Sequence, residues 1–120
     1  MSLKIIKRLA EIAKEEFKDI VTDTEILHAV RLRLELVDGS TVDILYPMRE
    51  KYSFHWRQED KVFRINTAPH HPQIASFPRH MHYENEERII EDAITSSSAS
   101  PEENFRRVLK WIRENLKKGN

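Results

Sequence analysis

The chain has 120 residues, enough for one domain (1–120) whose core needs neither disulfides nor structural metal. Lys and Arg number 20 and so do Asp and Glu, so the formal net charge is zero. That argues against nucleic-acid binding by bulk positive charge, and any anion site has to come from local clustering. The chain has no cysteine, which excludes disulfides, iron–sulfur clusters, thiolate zinc sites and cysteine nucleophiles, and fits a reducing, cytoplasmic setting. No apolar run approaches the roughly 20 residues of a membrane span, and no membrane association is expected.

Leu3 to Ile20 has the period of an amphipathic helix, with Ile5, Ile6, Leu9, Ile12, Ala13, Phe17 and Ile20 on one stripe and a break at Asp23 or Thr24. The period then changes to two. His28, Val30, Leu32, Leu34 and Leu36 share one face of a predicted strand, which makes His28 a structural histidine of the apolar face. Asp38-Gly39 predicts a tight hairpin. The return strand spans Thr41 to Tyr46 and Pro47 ends it. Tyr52, Phe54 and Trp56 give a third strand with an aromatic core face, and Val62 to Asn66 a fourth.

Thr67 to Tyr83 is irregular through Pro69, Pro72 and Pro78, with room for an edge strand at Arg79 to Tyr83. Ile89, Ile90, Ala93 and Ile94 predict a helix over Glu86 to Ile94. A second one follows, with Ser100 as N-cap, Pro101 at its first position and Glu103 completing a capping box. Trp111 lies off its buried stripe, and the basic residues Arg106, Arg107, Lys110, Lys117 and Lys118 read as a solvated face. The expected fold is α+β: an antiparallel meander of four to five strands, with an N-terminal helix and two C-terminal helices on one face.

Histidine placement carries the chemical information. Five of the six histidines fall between His55 and His82, four of them in Pro69-His70-His71-Pro72 and Phe77-Pro78-Arg79-His80-Met81-His82. Lys61 to Tyr83 holds no Asp or Glu. The window is therefore neutral to cationic, and gains charge as its imidazoles protonate near their reference pKa of about 6.5.

Three readings follow. The first is metal-free cleavage of an RNA phosphodiester, which needs a base, an acid and a cationic clamp. His70 and His80 are the leading acid–base pair, with His71 and His82 as alternates and Arg64 and Arg79 as clamps. His55 and Arg57 join them if the outer sheet face binds. The second is a zinc-dependent hydrolase with His80 and His82 as ligands and a third nitrogen from His71, or from His70, a reading weakened by the lack of nearby carboxylates to orient them. The third is a non-catalytic interaction module in which the histidines staple a long loop.

The strings Asn66-Thr67-Ala68-Pro69-His70-His71-Pro72 and Phe77-Pro78-Arg79-His80-Met81-His82, with Tyr52-Ser53-Phe54-His55-Trp56 upstream, resemble the signature of the TumE-like family, toxin components of toxin–antitoxin modules. Asn66, Thr67 and Arg79 depart from that pattern, while Arg64, His70, His71, His80 and His82 match it. The resemblance implies a helix-turn-helix antitoxin as partner. RNA as target follows from the residue types and from the usual targets of small toxins. A homodimer is left open.

Overall fold

Alternation of apolar and polar residues dominates the middle of the chain. In the computed structural model, which describes residues 2–116, it builds a single sheet. The strands are β1 (Val21–His28), β2 (Arg31–Leu36), β3 (Thr41–Met48), β4 (Lys51–Gln58), β5 (Lys61–Asn66), β6 (His80–Glu84) and β7 (Ile89–Ile90), and they lie side by side in chain order. Every neighbouring pair is antiparallel. Helices α1 (Ser2–Glu16) and α2 (Pro101–Asn115) complete the fold.

The inner face of the sheet carries Leu32, Leu34, Val42, Ile44, Tyr46, Phe54, Trp56, Phe63, Ile65 and Met81, all buried. Against it lie Ile6, Leu9, Ile12 and Ala13 of α1 and Phe105, Val108, Leu109 and Ile112 of α2. Each such aliphatic side chain contributes about 1.5–3 kcal/mol by leaving water. The Tyr52, Phe54 and Trp56 stripe is core, as its alternation predicts. Trp111 is half-buried and packs edge-on against Trp56 and Phe63, at centroid distances of 5.6 and 5.5 Å.

Local signals place two features well. Gly39 has φ +87°, and the Asp38 carboxylate accepts from the Ser40 amide at 3.0 Å, closing the hairpin. Ser100 caps α2 by accepting from the Glu103 amide at 3.1 Å. The reciprocal half of the capping box is replaced by an Arg107–Glu103 pair at 3.1 Å.

Other expectations are corrected. Among the described residues the sheet has seven strands rather than four or five, and there is one C-terminal helix rather than two. β1 runs from Val21 through Asp23 and Thr24, where a break was expected: its residues after Val21 are mostly exposed, so an edge strand wet on both faces leaves little apolar pattern to read. His28 is exposed at the end of β1 rather than part of the apolar face. Pro47 does not end β3, because a register shift between Leu45 and Met48 accommodates it.

The predicted helix over Glu86 to Ile94 is absent. Ile89 and Ile90 pair with His82 and Met81 instead. The Asn85 side chain accepts from the Glu87 and Arg88 amides, and the Asp92 side chain from those of Ile94 and Thr95. These side chains shape the turns that flank β7, and the pairing of Ile89 and Ile90 with β6 is incompatible with a helix through them. β6 consequently has a neighbour on each side rather than standing at the edge. Of the basic residues expected on a solvated face, Arg106 binds Glu16 at 2.8 Å. Lys117 and Lys118 lie outside the described residues.

Candidate functional site

Strand register decides which polar residues meet. On β6, Met81 faces the core, so His80 and His82 project from the opposite, outer face. The pairing β5–β6 sets Arg64 opposite His82 and Asn66 opposite His80. Across β4, His55 stands opposite Arg64, and Asp43 of β3 opposite His55. One cross-strand row therefore runs Asp43, His55, Arg64, His82 on the outer face. Arg57 lies on the same face, exposed at the end of β4.

The segment 67–79 adds the remaining ring. The His71 centroid lies 4.7 Å from that of His80 and 6.1 Å from that of His82, and His80 and His82 are 5.0 Å apart. One ring nitrogen from each of the three lies within 4.8 Å of those of the other two. His80 is only 2% exposed and His82 7%, although both stand on the outer face, while His71 is half-buried. His70 is exposed, and its ring contact is with His71 at 6.5 Å. The expected leading pair, His70 with His80, is thus not the closest one; His71 takes the place beside His80.

Backbone carbonyls set the tautomers of two rings. His80 Nδ1 is 3.2 Å from the Pro78 oxygen and His82 Nδ1 is 2.8 Å from the Glu86 oxygen. A carbonyl only accepts, so each Nδ1 carries a proton and each neutral ring keeps its lone pair on Nε2. Burial holds His80 below the ordinary imidazole range. The Pro78 carbonyl opposes that shift, and His82, His71 and Arg64 reinforce it. His55 is lowered by burial, with Arg57 and Arg64 adding to the effect.

Arg64 donates from Nη2 to Glu86 Oε1 at 2.6 Å. Its Nε and the Nε2 of His55 are buried without a partner among the described residues. Glu86 also sits 3.6 Å from His82 Nδ1. The sequence reading missed this carboxylate, because it lies beyond the acid-free window and the turn after β6 folds it back. Its signal was its position four residues after His82, across a turn marked by Asn85.

Arg79 is not brought to the imidazoles. Its Nη1 donates to the Asp92 carboxylate at 3.1 Å and to the main-chain oxygens of Asp92 and Thr95 at 3.0 and 2.5 Å. Asp92 also accepts from the Thr95 hydroxyl, and that hydroxyl meets Tyr52 Oη at 2.7 Å. This network ties the segment before β6 to the one before α2 and leaves Arg64 as the arginine in the histidine row.

These features define a small α+β protein with three converging imidazoles and Arg64 beside them at the outer face of an antiparallel meander. The family described as Toxin TumE matches residues 3–116, nearly the whole chain, and the protein belongs to that toxin family. No curated protein and no solved structure matches it. Membership in a toxin family of this kind implies an antitoxin partner. Among the described residues no helix is long and apolar enough to cross a membrane.

Proposed function

We propose that the protein is the toxin of a toxin–antitoxin module, paired with a helix-turn-helix antitoxin, and that it cleaves RNA by acid–base chemistry at His71, His80 and His82. The observation that carries this reading is the convergence of three rings, two of them held with Nε2 lone pairs, beside Arg64. In this reading His80 Nε2 takes the proton from a ribose 2′-hydroxyl. The 2′-oxygen attacks phosphorus, the bond from phosphorus to the 5′-oxygen breaks, and a protonated His71 gives its proton to that oxygen. The products are a 2′,3′-cyclic phosphate and a 5′-hydroxyl.

Burial suits His80 to the base role, since it keeps the ring neutral at neutral pH. The half-buried His71 can exchange protons with solvent. Arg64 exchanges Glu86 for the phosphate and offsets charge developing on its oxygens. Each acid or base contributes about 10²–10⁴-fold.

The test is incubation of pure protein with total RNA in EDTA, with mapping of product ends. Cleavage leaving cyclic phosphates, lost in His71→Ala and in a His80→Ala, His82→Ala double variant, is expected. An inert wild-type protein, or cleavage unchanged in folded variants, refutes the reading.

A further inference from the structure

We infer that His71, His80 and His82 form a binding site for one late first-row divalent transition metal ion, Zn²⁺ or a chemical relative. The inference stands apart from RNA cleavage, because it rests on donor type and placement alone.

Three imidazole nitrogens match the preference of Zn²⁺, Co²⁺, Ni²⁺ and Cu²⁺ for nitrogen and offer little to Mg²⁺ or Ca²⁺, which take oxygen. Metal-bound histidines ordinarily donate their second N–H to a carbonyl or carboxylate, which fixes the ring and directs the other nitrogen at the ion. His80 and His82 already do so, toward Pro78 and Glu86. Their i, i+2 spacing on β6 puts both on one face of a strand, braced by β5 and β7.

The two buried nitrogens that lack partners among the described residues, His55 Nε2 and Arg64 Nε, belong to the same cross-strand row as His82. The site also has room to tighten. Its nitrogens lie within 4.8 Å of one another, whereas Zn–N bonds of about 2.0–2.1 Å in a tetrahedron need nitrogens about 3.3 Å apart. His71 lies on the irregular segment 67–79, so closing that gap needs a shift of its ring and not of the paired strand β6. The fourth position is left for water or an anion, with Arg64 opposite His82. An ion here would occupy the lone pairs that the cleavage reading needs, and would therefore suppress cleavage in metal-free terms.

The experiment is titration of untagged full-length protein with Zn²⁺ by calorimetry, with Co²⁺ absorption as the probe of geometry. The expected result is one ion per chain, tetrahedral Co²⁺ bands, and no binding of Mg²⁺ under the same conditions. His71→Ala and His82→Ala should each weaken Zn²⁺ by about 100-fold or more, at or beyond the upper end of losses seen for outer-shell changes, while exposed His70→Ala leaves it unchanged. Because His80→Ala risks the fold, His71→Ala, at a half-buried loop position, decides the question on folded protein. No saturable binding, or binding that survives in both His71→Ala and His82→Ala, overturns the inference. RNA cleavage in EDTA is measured separately, so either proposal can fail alone.

Discussion

Replacing Asp92 by Ala should cost more stability than any surface substitution in the molecule. The Asp92 side chain is fully buried and accepts from Arg79 Nη1, the Ile94 and Thr95 amides and the Thr95 hydroxyl. Arg79 is itself 18% exposed, so its charge would be left without a carboxylate in a mostly dry place. Breaking a buried pair by removing one partner costs about 3–5 kcal/mol. At about 2.1 cal/mol/K per residue, a chain this long has an unfolding entropy near 0.25 kcal/mol/K, so the melting temperature should fall by about 12–20 °C. Urea unfolding followed by Trp fluorescence gives the free energy independently. Asp92→Asn keeps an acceptor for the two amides and should lose less. In an Arg79→Met, Asp92→Leu double variant the loss should be well below the sum of the single losses, because neither charge is then stranded. A fall below about 1 kcal/mol for Asp92→Ala would refute the argument, since that is the scale of an exposed pair.

Trp111→Ala should cost about 2–3 kcal/mol, somewhat below the 3–5 of a fully buried aromatic, because the ring is half-buried against Trp56 and Phe63. A change under about 0.5 kcal/mol in guanidinium unfolding would place Trp111 among dispensable surface aromatics. Gly39→Ala should cost about 1–2 kcal/mol through backbone strain alone, since φ is +87° and an added Cβ meets no atom within 4 Å. Gly39→Asn should recover part of that in the same assay. Stability should also fall on mild acidification. His80 and His55 are both held below the ordinary imidazole range when folded, so the unfolded chain binds more protons just below pH about 6.5. That contribution is complete above pH about 6.5 and is lost as pH falls through the lower folded values. Urea midpoints at pH 7.5 and 5.5 measure it. His55→Gln should flatten the dependence, and an unchanged slope in that variant would count against His55 as a source.

Short-range chemistry was legible in the chain. The Asp38-Gly39 turn, the Ser100-Pro101 helix start and the alternation through β2 to β5 each depend on neighbours a few residues apart, so local pattern suffices to place them. The paired histidine strings and the family they belong to were equally readable, as was the shared face of His80 and His82. What failed locally failed for a physical reason. β1 is an edge strand with little apolar pattern, and the segment 86–94 carries helical spacing that the pairing of Ile89 and Ile90 with β6 overrides.

The composition of the site was settled by register and chain reversal. Pairing β5 with β6 chose Arg64 as the arginine beside His82, and the inward turn of Arg79 toward Asp92 removed the other candidate. Folding of the segment 67–79 put His71, not His70, against His80. The turn after β6 brought in Glu86, a carboxylate that the acid-free window had concealed. Residue types and strand period report only which face a side chain occupies. Which faces meet, and which charges find partners, is decided by the cooperative pairing of seven strands.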